Sequence, residues 1–214
     1  DFMCSFCVIP FARGRARSRD WDDLFSEVDQ MVRGGVREFI LTGVNLGTYQ
    51  SKGNDFLALV EELSKAKGVE RLRISSIEPT TIPEELFDLM ACSDHPLMPY
   101  LHIPMQSCCD RTLVRMKRKY RMDEMQSFFE RAKNAVPNMC FGTDLMVGFP
   151  GETDSDFQET CESFLSMPFA YCHVFTFSER TGTPAAKMNE VVPVETRRRR
   201  SAQLRRLSSS KRME

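Results

Sequence analysis

The sequence predicts an α/β fold built around a parallel sheet, and three observations lead there. Five short apolar runs of strand character, Glu38 to Thr42, Arg71 to Ser75, Tyr100 to Pro104, Phe141 to Val147 and Tyr171 to Phe177, alternate with segments of helical period. Such alternation calls for right-handed crossovers and parallel strands. Polar residues also collect directly after each run: Thr42, Gly43 and Asn45; Ser76 and Glu78; Gln106 and Ser107; Gly148 and Glu152; Ser178 and Arg180. A barrel or half-barrel with one site at the C-terminal ends of its strands would place them so. Turns are polar in any case, so the weight falls on the set rather than on any member.

The intervening elements each carry a reason. In Asp20 to Arg33 the residues Trp21, Leu24, Phe25, Val28, Met31 and Val32 fall on one helix face, and Gly34 and Gly35 stop it. Asp55 is placed to cap a helix closed by Gly68. Thr81 and Glu84 form a capping-box pattern around Pro83, and Asp123 with Gln126 starts a helix that carries Met125, Phe128, Phe129, Ala132 and Val136 and stops at Pro137. A further helix over Thr153 to Met167 would bury Phe157, Cys161, Phe164 and Leu165. His102 and His173, inside apolar runs, are expected to be hydrogen-bonded core histidines.

Charge and composition narrow the function. The 214 residues carry a net charge of −1, but Glu195 to Glu214 holds eight arginines and lysines against two glutamates. We expect residues 1–194 to form the core and residues 195–214 a basic C-terminal helix, either a solvated face or an RNA contact. No run approaches the roughly 18 apolar residues of a membrane span, and the first residues are too charged for a signal peptide. Most of the eight cysteines stand singly in apolar runs, the habit of free thiols in a reduced, cytoplasmic compartment.

Cys4 and Cys7, in "CSFCVIPF", are the exception. Structural zinc would need a second pair, and Cys108-Cys109 and the scattered His95, His102 and His173 do not make one. A redox C-x-x-C sits at a helix N-terminus, whereas a long loop is expected after Cys7. An iron–sulfur cubane held by three thiolates, two of them here, is the third possibility.

Cys4-Ser5-Phe6-Cys7 resembles the second half of the C-x3-C-x2-C loop of radical S-adenosylmethionine enzymes, the first cysteine falling immediately before Asp1. "LTGVNLGTY" at Leu41, "LRISSIEP" at Leu72, "LHIPMQS" at Leu101, "GTDLMVGFPGET" at Gly142 and "VFTFSERTGTPAA" at Val174 resemble, in order, the methylthiotransferase branch of that family. "LTGVNLGTY" and "RISSIEP" are most similar to the subfamily acting on threonylcarbamoyladenosine in tRNA. Cys108 and Cys109 depart from the usual Gly-Ser pair, and Glu179 and Thr181 replace frequent prolines.

The resemblance implies a partial (β/α)6 TIM-like barrel of the radical SAM type, lacking its first strand. It implies a [4Fe-4S] cluster on Cys4 and Cys7, and S-adenosyl-L-methionine as the second cofactor. Phe6 would pack near the adenine, Gly43 and Asn45 near the methionine end, and Ser76 and Glu78 at the amino group or ribose. Gln106, Ser107 and Asp144 would add polar contacts. The implied reaction is insertion of a methylthio group at C2 of a modified adenosine beside the anticodon; a ribosomal-protein substrate or a non-catalytic thiol or RNA-binding role are the alternatives. The implied partners are tRNA, an electron donor, an N-terminal cluster domain and a C-terminal RNA-binding domain. For RNA contact the sequence offers Arg13 and Arg15, followed by Arg17 and Arg19, and the run Arg197, Arg198, Arg199 and Arg200.

Overall fold

The computed structural model describes residues 2–213, with the side chain of Met213 excepted. In chain order its elements are α1 (Ile9–Arg13), α2 (Trp21–Arg33), β1 (Glu38–Leu41), β2 (Gln50–Ser51), β3 (Asn54–Asp55), α3 (Phe56–Lys65), β4 (Arg71–Ile74), α4 (Leu86–Ala91) and β5 (Tyr100–His102). There follow α5 (Asp110–Arg115), α6 (Met122–Ala135), β6 (Cys140–Val147), α7 (Asp154–Ser166), β7 (Phe169–Thr176) and α8 (Val194–Met213). They divide into two units. One holds the residues up to Arg15, Ile103–Glu130 and everything from Cys140 on; the other holds Ala16–His102 and Arg131–Met139.

In the second unit β1 and β4 pair in parallel, Glu38 opposite Arg71 and Leu41 opposite Ile74. The Glu38 carboxylate bridges Arg71 and Arg73 across that pair. Parallel bridges at Leu72–Leu97 and Ser76–His102 carry the order onward to the segment containing β5. Asp20 caps α2 by accepting from the Asp22 and Asp23 N–H groups, and Asp55 caps α3 by accepting from Ala58 N–H. Leu59, Val60 and Leu63 of α3 are buried, as are Leu72 and Ile74 of β4. The expected box at Thr81 and Glu84 does not form. Thr81 instead donates its hydroxyl back to the Glu78 carbonyl, Glu84 pairs with Arg131, and α4 starts after them without a side-chain cap.

In the first unit β6 and β7 pair in parallel over eight-residue strands, Asp144 opposite His173 and Val147 opposite Thr176. Phe129 meets Phe141 and Phe169 edge-on, both at 4.9 Å between centroids, and Phe164 stacks on Phe169. At the α6 N-terminus the expected Asp123 accepts from Glu124 N–H, and residues outside the expected pair also take part. Asp110 accepts from Met122 N–H and Glu124 from Arg121 N–H, while Gln126 reaches forward to Glu130. Thr153 and Asp156 close a capping box on α7. Helix α8 packs along β7, where Ser208 Oγ accepts from Cys172 N–H and donates to the Cys172 carbonyl.

Two elements lay outside the sequence reading. The loop expected after Cys7 contains the short helix α1, with Pro10 in its first turn and Gly14 at its end. Residues 50–55 make a small hairpin around Lys52 and Gly53, both at positive φ.

Candidate active site

The cysteine loop is fastened through the residue between the thiols. Ser5 is fully buried; its N–H donates to the Met116 carbonyl at 3.0 Å and its hydroxyl to the Arg115 carbonyl at 2.8 Å. Its own carbonyl accepts from Ala185 N–H at 2.8 Å. Cys7 N–H donates to the Cys4 carbonyl, so the chain turns back on itself between the two thiols. Both thiols are free and half-buried. Phe6 drives into an apolar cluster with Met116, Phe149, Phe177, Ala185 and Met146, meeting Phe149 edge-on at 6.3 Å.

That cluster locates the loop on β6. Met146 touches it, and Asp144 lies two residues earlier, on the same face of the strand. Asp144 accepts from or pairs with His173 Nδ1 at 3.5 Å across the β6–β7 ladder. His173 is exposed, which corrects its expected place in the core, and it lies on the same face of the β6–β7 ladder as Asp144, whereas His102 is buried as expected. Gln106 runs alongside β6, its N–H donating to the Asp144 carbonyl and its carbonyl accepting from Met146 N–H, both at 2.8 Å. Its φ of 69° puts a non-glycine residue in the left-handed region beside the cysteine loop.

Arg118 completes this half of the site, and the sequence reading missed it. One guanidinium nitrogen lies 3.2 Å from Cys4 Sγ. Lysines at 117 and 119 make "MKRKY" look like a solvated basic stretch; only the buried Tyr120 next to it hinted otherwise.

Three expected contacts are corrected. Ser107 is fully buried, with its hydroxyl 3.3 Å from that of Thr160 and accepting from Cys109 N–H, so it belongs to the core rather than to a ligand surface. Cys108 and Cys109 are also buried, and burial pushes the Cys109 thiol up to about 11 and that of Cys108 higher still. They fill space. Arg200 is buried against Glu152, with a nitrogen 2.6 Å from the carboxylate, and is therefore no phosphate ligand. Arg197 donates to the Val192 and Phe177 carbonyls and covers the Phe177 ring. Arg198 and Arg199 remain exposed, as do Arg13 and Arg15.

The "GFPGE" stretch closes the end of β6. Gly148 N–H donates to the Glu152 carboxylate at 2.6 Å, and a Cβ on Gly148 would overlap the Arg197 side chain. Burial raises the Glu152 carboxyl above its usual value, against the pull of Gly148 N–H and Arg200.

Within the second unit, Asn45 and Glu78 converge on Thr81. The Thr81 hydroxyl lies 3.4 Å from the Asn45 amide oxygen and bonds the Glu78 carbonyl. Gly47 passes so close to Thr81 that no side chain would fit between them. Gly43 is exposed, at ordinary φ, and a Cβ there would meet only the mobile end of Leu46; Ser76 is half-buried on its bridge to His102.

Two free thiols on a tight, docked turn, with a cation at the first, form a donor set suited to an iron–sulfur cluster. Residues 1–164 match the model of the radical SAM superfamily, and the chain belongs to that family. Over 209 residues it is 40% identical to the threonylcarbamoyladenosine tRNA methylthiotransferase MtaB of Bacillus subtilis, covering 96% of this chain and 46% of that protein. It is 37% identical over 202 residues to a tRNA-2-methylthio-N(6)-dimethylallyladenosine synthase of Endomicrobium trichonymphae, covering 94% and 48%. The chain thus spans about half the length of these relatives. Among solved structures, the radical S-adenosylmethionine methyltransferase TsrM of Kitasatospora setae, with cobalamin and a [4Fe-4S] cluster bound, superposes with a TM-score of 0.71 at 17% identity, over 86% of this chain and 34% of that one. Methylornithine synthase PylB gives a TM-score of 0.60 at 16% identity, over 96% and 59%. These two likenesses concern the fold alone.

Proposed function

We propose that this chain is the radical SAM core of a tRNA methylthiotransferase that inserts a methylthio group at C2 of a modified adenosine beside the anticodon. The observation that carries the reading is the similarity to MtaB over 96% of the chain, combined with a Cys4-x-x-Cys7 turn docked onto β6. Threonylcarbamoyladenosine is the substrate modification the MtaB likeness favours. The fold is read as a partial (β/α)6 barrel of the radical SAM type.

Cys4 and Cys7 would hold a [4Fe-4S] cluster together with a third thiolate, and S-adenosyl-L-methionine would be the second cofactor. Together they would supply a carbon-centred radical able to abstract hydrogen from an unreactive ring position. This chain contributes placement. Phe6 and Met146 present an apolar wall at the loop, and Asp144 and Gln106 offer polar groups on the same edge; Asn45, Ser76 and Glu78 are read as further polar contacts. Gly43 and Asn45 are read at the methionine end. Arg13, Arg15, Arg198 and Arg199 would neutralise tRNA phosphates. An external electron donor and a cytoplasmic setting belong to the same reading.

Anaerobic iron and sulfide reconstitution of the full-length protein, alongside its Cys4→Ala and Cys7→Ala variants, tests this. The parent should gain a visible-absorbing cluster that responds to S-adenosylmethionine and form methylthiolated tRNA with a low-potential reductant. Both variants should lose that cluster and the activity. Retention of it in either variant would remove the cysteine turn from the site.

A further inference from the structure

We propose that Arg118 is a positioning residue for the Cys4 sulfur, a fixed cation that holds the first cluster ligand in place and raises the reduction potential of the cluster it carries. The inference rests on the reading of Cys4 and Cys7 as cluster ligands and names a residue that reading does not use.

The contact itself is a nitrogen 3.2 Å from Cys4 Sγ. What makes it a built device is the holding of the guanidinium. Its Nε donates to the Tyr120 hydroxyl at 3.0 Å and its other terminal nitrogen to the Pro104 carbonyl at 2.9 Å. The Tyr120 hydroxyl lies 2.8 Å from the Met105 carbonyl, and the guanidinium carbon sits 5.0 Å from the Tyr120 ring centre. Arg118 is 9% exposed and Tyr120 2%. The Cys4 sulfur becomes an anion when it binds metal.

The backbone is bent to deliver this contact. After α5 the chain turns through Lys117, whose φ of 58° is left-handed without being glycine. Lys117 N–H reaches the Val114 carbonyl and Arg118 N–H the Leu113 carbonyl, the bonding pattern of a Schellman helix end. Glycine usually occupies that place. The same turn presents the Met116 carbonyl to Ser5 N–H, so one helix end fastens the cysteine loop and aims the cation at its first thiol.

The physical consequence follows from charge. One electron from an external donor makes the cluster more negative by one charge, and a cation fixed in a low-dielectric wall favours that state. Hydrogen bonds to sulfur and local net charge are known levers on iron–sulfur potentials.

The test uses the full-length protein, reconstituted anaerobically, with Arg118→Gln, Arg118→Lys and Tyr120→Phe variants. Three quantities are read: iron bound per chain, the thermal unfolding curve, and the midpoint potential of the paramagnetic signal that changes on adding S-adenosylmethionine. We expect R118Q to lower the potential or shed iron, R118K to recover most of the parent value, and Y120F to shift the same way by less. An R118Q protein with parent iron content and parent potential overturns the proposal. Should R118Q fail to fold, a parent-like potential in Y120F overturns it instead, because that variant removes the hydroxyl that accepts from the guanidinium Nε. A parent protein that takes up no iron overturns the cluster reading and this proposal with it, whereas a normal cluster indifferent to Arg118 overturns this proposal alone.

Discussion

Arg200 and Glu152 form a nearly dry ion pair, with side chains 4% and 1% exposed, and the Arg200 Nε has no hydrogen-bond partner among the described residues. Removing Glu152 leaves the buried Arg200 with only the exposed Asp154 carboxylate, 2.8 Å away, and losses from breaking a buried pair run to about 3–5 kcal/mol. Glu152→Ala should therefore lower the unfolding free energy read from urea titration, by up to about that much. An unchanged midpoint would mean that water enters the pair. Asp156 behaves differently. Burial pushes its carboxyl up, but the Thr153 N–H and hydroxyl and then Arg111 outweigh that, and the net shift is downward. A carboxyl lowered in the folded state stabilises above its unfolded value of about 4 and loses that contribution as pH falls through the folded value. Acid unfolding curves should accordingly show Asp156→Asn flattening the loss of stability below about pH 4. Cys4 and Cys7 stood out because their spacing sets them apart from the singly placed cysteines, and the structure holds both on one turn. Arg118, Ser107 and His173 were not, because which way a side chain faces depends on register and turns that residue identity does not state.

Elements were more legible than their ends. The 3.6-residue pattern marked α2, α3, α6 and α7, and the β-rich runs marked five strands to within two residues at each end. Caps failed where a residue distant in sequence did the capping, as Asp110 does for α6. Helix α8 misled by charge. Arg197, Arg200, Leu204, Ser208 and Lys211 share its inner face, and Lys211 there bonds the carbonyls of Phe164, Leu165 and Met167 at the end of α7. The loop after β6 depends on this helix. Gly148→Ala forces a Cβ at φ 73° into the Arg197 side chain, so we expect a clear fall in melting temperature. Adding Arg197→Ala should return part of the loss, since the overlap goes and the backbone strain, about 1–2 kcal/mol, stays. No recovery would place the whole cost in the backbone. Thr153→Ala, which removes the α7 cap, should cost about 1 kcal/mol by urea titration.

For the whole molecule, alternation alone indicated parallel α/β architecture, and β1–β4 and β6–β7 pair accordingly. The two-unit division had no signal in the sequence, because the chain passes from one unit to the other and back several times. Among the described residues no helix is long and apolar enough to cross a membrane. With near-zero net charge, attraction to RNA must come from local concentrations of cations. Replacing Arg13, Arg15, Arg198 and Arg199 by alanine should weaken tRNA binding and flatten its dependence on salt. Replacing Arg198 and Arg199 alone should give a smaller change in both. Binding that ignores all four would move the RNA contact elsewhere.

The three bonds of Ser5 bear on how the protein is made. Residues 4–7 leave the ribosome long before their anchors at Arg115, Met116 and Ala185 exist. At a synthesis rate of roughly 5–20 residues per second, the interval to Ala185 is on the order of 10 s. Through that time the two thiols lie on an unanchored segment, open to oxidants and to stray metal ions, and the seat that will orient them is completed only by residues more than a hundred positions later. Nascent chains halted before Ala185 should thus have Cys4 and Cys7 alkylated readily, and chains released past α8 more slowly.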